Sequence, residues 1–175
     1  MLAPLRIAVR PMRPVAAALG SRILRFNSTV AQANSLNPSA VPFKFSDSVT
    51  VRYTREHEWL ASHPDGTAFV GITKYAADAL GDATFVEVPE VGDSVQVGDS
   101  IGSVESVKSA SEIYTPVDGE ILEANDELTS NPALINSDPL GEGWIAKLKV
   151  TDPDQLLDAE LFDIDAYVKF LQEES

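Results

Sequence analysis

Apolar and polar residues alternate in short runs along most of this chain, and Gly, Pro and Asp separate the runs. Val49–Tyr53 (VTVRY) alternates and predicts a strand. Glu58–Ala61 and Thr67–Gly71 flank His63-Pro64-Asp65-Gly66, whose Pro-Asp-Gly supplies a turn, so the pair predicts a β-hairpin. Thr73 is placed to cap a short helix through Leu80, with Gly81 ending it. Thr84–Val88 reads as a strand stopped by Pro89.

The centre of the chain is the most patterned. Val-Gly-Asp occurs at 91–93 and again at 97–99, and Val-Asp-Gly at 117–119. Between these turns lie short alternating stretches at Ser94–Val97, Ile101–Val107, Ala110–Tyr114 and Glu120–Glu123. Evenly spaced short strands with Gly turns predict a mainly β domain, a small sandwich or barrel. Gly98 and Gly119 stand ten and eleven residues from Lys108. A chain that runs out, turns at Val107–Ser109 and returns puts Lys108 at a hairpin tip, facing solvent. Gly98, Gly119 and Gly141 are read as turn residues.

Asn125–Ile135 is expected to be mostly loop, with room for a short helix after Asn131-Pro132. Gly143–Val150 alternates, sending Trp144, Ala146, Leu148 and Val150 to one side and Lys147 and Lys149 to the other. Asp152-Pro153 opens a turn. Ile164, Tyr167, Val168 and Leu171 recur at helical spacing, which predicts an amphipathic C-terminal helix with Asp163 and Asp165 suited to its positive end. Trp59 and Trp144 read as packing anchors.

Charge divides the chain in two. Residues 1–46 hold Arg6, Arg10, Arg13, Arg22, Arg25 and Lys44 and no acidic residue. Residues 47–175 hold the other seven basic residues against all 27 acidic ones, a net charge of −20. The first segment has the Arg-rich, acid-free composition of a mitochondrial transit peptide and linker. The plainer alternative is a disordered basic tail that binds an acidic surface. The processing region and linker legible in Ser28–Pro42 favour import to the mitochondrial matrix, with Arg25-Phe26 just before a cut. Residues 47–175 suffice for one domain with one core. Their acidity argues against nucleic acid and anionic membranes as partners. No run approaches the roughly 20 apolar residues that span a bilayer. The absence of Cys excludes a disulfide, a Cys-ligated zinc and a cysteine nucleophile. His57 and His63, the only imidazoles, form no metal-ligand spacing, so a metal site is not expected.

A solvated Lys ammonium is a poor nucleophile, and nothing in the sequence beside Lys108 would desolvate it or supply a second cation. A modifying enzyme, by contrast, needs a protruding Lys whose neighbours are held by strand pairing. At this point the sequence resembles a known family. Gly102-Ser103-Val104-Glu105-Ser106-Val107-Lys108-Ser109-Ala110-Ser111 is similar to the lipoylation hairpin of glycine cleavage system H proteins. Biotin carriers usually place Met on both sides of the Lys, and oxo-acid dehydrogenase lipoyl domains place Asp before and Ala after it. Val107 and Ser109 fit neither as well. The likeness continues through Tyr53-Thr54, His57-Glu58-Trp59, Gly71-Ile72-Thr73, Leu80-Gly81-Asp82, Phe85 to Gly92, Pro116 to Glu120, Asn131-Pro132 and Gly143-Trp144.

The resemblance implies a barrel-sandwich hybrid of the lipoyl/biotinyl-carrier kind, with short peripheral helices. It implies a non-catalytic carrier with lipoate attached covalently to Lys108, where Glu105, Ser106, Val107 and Ser109 form the hairpin that a lipoyl or octanoyl transferase recognises. The arm would take an aminomethyl group from glycine decarboxylase (P protein) to aminomethyltransferase (T protein) and pass electrons to dihydrolipoyl dehydrogenase (L protein). Some relatives also relay lipoyl groups to other proteins. An aminomethyl group on sulfur is hydrolysable and can be cationic, so it needs a sheltered cleft with a carboxylate. Glu58 is the first candidate and Glu112 the second, against the bland reading of Glu58 as a surface strand charge. Glu56 stands where several relatives have a small hydroxyl, and Ala79 where some have His. His57 reads as a structural donor rather than a base.

Overall fold

The computed structural model describes residues 29–36, 49–158 and 160–174. Most of the segment read as a transit peptide lies outside these residues. Helix α1 covers residues 29–34. The strands are β1 (Thr50–Tyr53), β2 (Glu58–Ser62), β3 (Thr67–Ile72), β4 (Ala83–Glu87), β5 (Ser94–Val95), β6 (Ser100–Ser106), β7 (Ala110–Tyr114), β8 (Gly119–Ala124) and β9 (Ala146–Val150). Helices α2 (Lys74–Leu80), α3 (Glu127–Ser130), α4 (Leu134–Ser137) and α5 (Ile164–Glu174), and a 3-10 turn at Pro153–Leu157, lie between and after them. Every pairing is antiparallel. One sheet has the order β1-β2-β3-β9-β8-β5 and the other β4-β6-β7. The two sheets enclose one aliphatic core containing Leu60, Val70, Val104, Ile113, Ile121 and Leu148.

The repeated Val-Gly-Asp motif has a structural meaning. Gly92 N–H donates to Ile121 O and Asp93 O accepts Ile121 N–H, at 2.8 and 2.9 Å. Six residues on, Gly98 N–H donates to Thr115 O and Asp99 O accepts Thr115 N–H, at 2.9 and 3.0 Å. The outgoing chain is thus stitched twice, by the same device, to the returning chain. Asp118 Oδ1 also accepts Val97 N–H at 2.7 Å, tying the near-symmetric turns to each other. Of the three glycines read as turn residues, Gly98 alone has a positive φ, +85°. Gly119 opens β8 and is required by close approach instead, since a Cβ there would lie 2.7 Å from Lys149 O. At Gly141 the Asp138 carboxylate fills the same space.

β2 is buried along its whole length, which is why its sequence does not alternate cleanly. Leu60 faces the aliphatic core. Trp59 and Ala61 face a second, aromatic layer with Tyr53, Phe69, Tyr167 and Leu171, supplied partly by α5. Trp59 is fully buried and its indole N–H donates to Pro139 O at 3.0 Å. The predicted α2 and its caps are present: Thr73 Oγ1 accepts Ala76 N–H at 3.3 Å and Gly81 ends the helix at φ +80°. α5 buries Tyr167, Val168 and Leu171, with Asp163 Oδ1 accepting Ala166 N–H at 2.8 Å.

Two expectations change. Asn125–Ile135 is more helical than expected, because α3 and α4 each drive one apolar side chain, Leu128 and Ile135, fully into the core. Strand β9 begins at Ala146, so Trp144 does not join the side of Ala146, Leu148 and Val150. A turn in which Asp138 O accepts Gly143 N–H at 2.8 Å precedes it. Trp144 goes to the aromatic layer, edge-on to Phe69 at 5.4 Å.

Gly71 pairs with Trp59 across β2 and β3, and a Cβ there would lie 2.6 Å from the indole ring. The ring is rigid and fully enclosed, so it has nowhere to move. Gly71→Ala is expected to lower the unfolding free energy by about 1–3 kcal/mol. Urea titration against the parent checks this, and an unchanged midpoint would show that the layer is loosely packed.

Candidate functional site

Lys108 sits in a two-residue turn whose geometry comes from Ser106. Ser106 N–H donates to Ser109 O at 2.8 Å, closing the β6–β7 ladder. Ser106 Oγ accepts Lys108 N–H at 3.2 Å and Ser109 N–H at 3.1 Å, and it donates to Ser109 O at 3.2 Å. The backbone under Lys108 is therefore held by one hydroxyl. Lys108, Ser109 and Ala110 are exposed, and Val107 is 88 % exposed. Glu105 is exposed on β6 opposite Ala110 and beside Phe85 of β4, itself an exposed aromatic. Among the described residues Lys108 has no ion-pair partner, whereas Lys74 is held by Asp78 and Lys147 by Glu123.

β7 is an edge strand. In an antiparallel pair, alternate residues turn their N–H and C=O groups away from the partner. Ser106 and Ser109 form a bonded pair, so Ala110 and Glu112 direct theirs to the free edge. That edge borders a cleft of about 220 Å³, whose walls include Ser109, Ser111 and Glu112 on one side and Ala76, Ala79 and Leu80 of α2 on the other. His57, Glu56 and Glu58 close its inner end. A larger cavity, about 460 Å³, meets the cleft at Glu56 and Glu58 but borders β7 only from Tyr114 onward. The smaller cleft is the one that begins at the Lys108 turn.

Glu58 is 2 % exposed, which rules out the surface-charge reading. Its carboxylate accepts the Thr54 hydroxyl and, at 3.1 Å, the Tyr114 N–H from the free edge of β7. Its own N–H donates to Thr54 Oγ1 at 3.0 Å, while Thr54 N–H donates to Glu58 O at 3.0 Å. Thr54 thus clamps Glu58 from both backbone and side chain. Burial pushes the Glu58 carboxyl above the usual carboxylate range, and the bonds from Thr54 and Tyr114 partly oppose this. Nearby Glu56 pushes it further up. Glu112 also borders the cleft, but it is exposed and its carboxylate accepts the Ser100 hydroxyl across the sheet. Both positions singled out as departures, Glu56 and Ala79, lie on this cleft.

His57 holds the turn between β1 and β2 at φ +72°. Its ring Nδ1 lies 2.9 Å from the Tyr167 hydroxyl, which in turn lies 3.0 Å from Thr73 Oγ1. Its carbonyl accepts Thr73 N–H at 2.9 Å. These bonds fit a structural anchor that joins the turn to α2 and α5. Burial lowers the His57 pKa, against the raising influence of Glu174 and Glu56.

Sequence reasoning missed Thr54 as the partner of Glu58. The signal was present in the Thr-x-x-x-Glu spacing, but only the turn between β1 and β2 folds the hydroxyl back onto the carboxylate. It also missed Tyr114 N–H, because a backbone donor leaves no trace in side-chain identity.

Comparison with known proteins places the chain. The family model described as glycine cleavage H-protein matches residues 51–174. The mitochondrial glycine cleavage system H protein of Saccharomyces cerevisiae is 51 % identical over 144 residues, covering 81 % of this chain and 85 % of the yeast protein. The glycine cleavage system H protein of Streptomyces coelicolor is 48 % identical over 120 residues, covering 69 % of this chain and 93 % of that protein. The crystal structure of a glycine cleavage system H protein from Mycobacterium marinum superposes with a TM-score of 0.63 at 38 % identity, over 71 % of this chain and 97 % of that one. With the fold, the Lys108 hairpin and these matches in agreement, the chain belongs to the glycine cleavage H-protein family.

Proposed function

We infer that this protein is the lipoyl-lysine carrier of the glycine cleavage system, with Lys108 as the attachment point and no catalysis of its own. The observation that carries this reading is one exposed, structurally unpaired Lys at the tip of a backbone-locked hairpin that opens onto a carboxylate-lined cleft. The lipoyl group, when bound, supplies a dithiolane that accepts a one-carbon amine and two electrons. In this reading the cargo is the aminomethyl group, received from glycine decarboxylase (P protein) and delivered to aminomethyltransferase (T protein), with dihydrolipoyl dehydrogenase (L protein) as the reoxidising partner. The mitochondrial yeast relative and the acid-free first 46 residues support a mitochondrial matrix location.

The residues of the chain divide the work. Ser106 fixes the Lys108 backbone, and exposed Glu105, Val107 and Ser109 present the surface that a lipoyl or octanoyl transferase reads. A lysine extended by a lipoyl amide reaches roughly 14 Å, from bond lengths near 1.5 Å. Each residue of β7 advances about 3.3 Å. Laid along the free edge, the arm ends at the level of Glu112 to Tyr114, where Glu58 is held. Unpaired N–H and C=O groups of Ala110 and Glu112 offer partners to a polar arm amide on the way. Burying about four arm methylenes against Ala76, Ala79 and Leu80 contributes roughly 3 kcal/mol at most, enough to rest the arm in the cleft and still release it. Glu56, Glu58 and Glu112 line the cleft with carboxyl oxygens, acceptors that suit a cationic cargo better than an anionic one.

Peptide mass spectrometry across Lys108 of native protein is expected to find the lipoyl amide. Wholly unmodified Lys108 in material that supports normal glycine oxidation would sink the reading. Lys108→Arg is expected to keep the parent melting temperature and abolish glycine cleavage in the reconstituted system, whereas retained turnover would point to an enzyme that does not need this amine.

Glu58 also predicts a pH effect. A carboxyl whose folded pKa is raised keeps, between its unfolded and folded values, a proton that the unfolded chain has lost. Stability therefore falls as pH rises through that window. Glu58→Gln removes the titration, so its melting temperature is expected to exceed the parent's at pH 7, with the gap closing as pH falls to the ordinary carboxylate range. The same variant is expected to stay fully lipoylated and lose glycine-cleavage rate. A variant less stable than the parent at pH 7 would make Glu58 a structural group first.

A further inference from the structure

Residues 29–36 fall in the stretch whose composition suggests import and linkage, yet specific contacts bind them to the folded domain. Asn34 is 3 % exposed. Its backbone carbonyl accepts the Tyr53 hydroxyl at 2.8 Å, its side-chain oxygen accepts Tyr75 N–H at 3.1 Å, and its side-chain amide donates to Val30 O at 3.0 Å. Val30 and Leu36 pack against the aromatic layer. Both donors find their acceptor on Asn34. Tyr53 is 2 % exposed and stacked on Tyr167, and a buried hydroxyl needs a partner. Tyr75 is the second residue of α2, where no N–H has an acceptor within the helix. α2 is also the helix that forms one wall of the cleft.

A second observation points the same way. The match to the yeast mitochondrial relative covers 81 % of 175 residues, about 142 of them, and so begins no later than about residue 35. The family model begins only at residue 51, and the Streptomyces relative covers 69 % of the chain. The likeness to the mitochondrial protein therefore reaches into this segment.

We propose that residues 29–36 stay in the mature protein as a docked strap that braces α2 through Asn34, and that the presequence is removed by hydrolysis of a peptide bond upstream of Thr29. Water is the only co-reactant that cleavage needs. A cut at the edge of the domain, near residue 46, would strip the acceptors from Tyr53 and Tyr75. The cleavage half rests on the mitochondrial reading above, and the docking half does not.

N-terminal sequencing of the protein from isolated mitochondria is expected to find a first residue after Met1 and no later than Thr29. A first residue beyond Thr29 overturns the proposal. A chain still beginning at Met1 overturns the cleavage half together with the import reading, and leaves docking to a second measurement. That measurement compares amide exchange in chains beginning at Asn27 and at Asn37. The shorter chain keeps the whole matched domain, and the Streptomyces relative, 93 % of which lies inside its match, consists of little else. The Tyr75 amide is expected to exchange about ten-fold faster in the shorter chain, the loss of one hydrogen bond's worth of local protection. In the longer chain Asn34→Ala should reproduce the loss, and Asn34→Asp, which keeps the acceptor, should not. Equal Tyr75 exchange in all four proteins overturns the docking.

Discussion

The antiparallel pairing of the chain that runs out to Lys108 with the chain that returns from it is the constraint on which the rest of the molecule depends. It is made of backbone bonds at Gly92, Asp93, Gly98 and Asp99, and of the β6–β7 ladder closed by Ser106 and Ser109. Backbone pairing has a period and a direction, so each rung fixes the next. The tip is consequently a place where a long, exposed side chain stands on a hydrogen-bonded base. A carrier would use this combination of an exposed arm on a backbone-paired pivot.

The same pairing leaves β7 with a free edge, and that edge creates the cleft. Edge strands ordinarily invite pairing with another chain. Here α2 faces β7 across the cleft, and Glu58 takes the Tyr114 N–H. A buried carboxylate is an expensive way to satisfy one amide, since burial works against its charge. The hydrogen bonds from Thr54 and Tyr114 offset part of that cost.

The aromatic layer carries a different load. Tyr53, Trp59, Phe69 and Tyr167 cover the outer face of β1 to β3, and Tyr167 reaches through to His57, which borders the cleft, and to Thr73, which caps α2. α5 and the segment at residues 29–36 both close this layer, from opposite ends of the chain. The cleft is therefore framed by elements remote in sequence, and its width is set by how they pack rather than by the hairpin that would supply the arm.

The sequence by itself determined the local parts. Alternation placed the strands, Thr73 and Gly81 placed α2, and the spacing of turns around Lys108 placed it at an exposed tip, because each of these depends on dihedral preferences and side-chain periods within a few residues. The ordered blocks also carried the family likeness, since they lie along one chain. Tertiary structure alone decided the rest. Trp144 left the face its spacing suggested because a turn at Asp138 reset the register. Glu58 became a buried clamp because Thr54 and the backbone of Tyr114, one near and one far in sequence, converge on it. Residues 29–36 had the composition of a linker, and only the hydrogen bonds of Asn34 with Tyr53 and Tyr75 show them as part of the fold. Burial and hydrogen-bond satisfaction are properties of the packed whole, and the partners that matter here, Tyr114 for Glu58 and Asn34 for Tyr53 and Tyr75, lie 19 to 56 residues away along the chain.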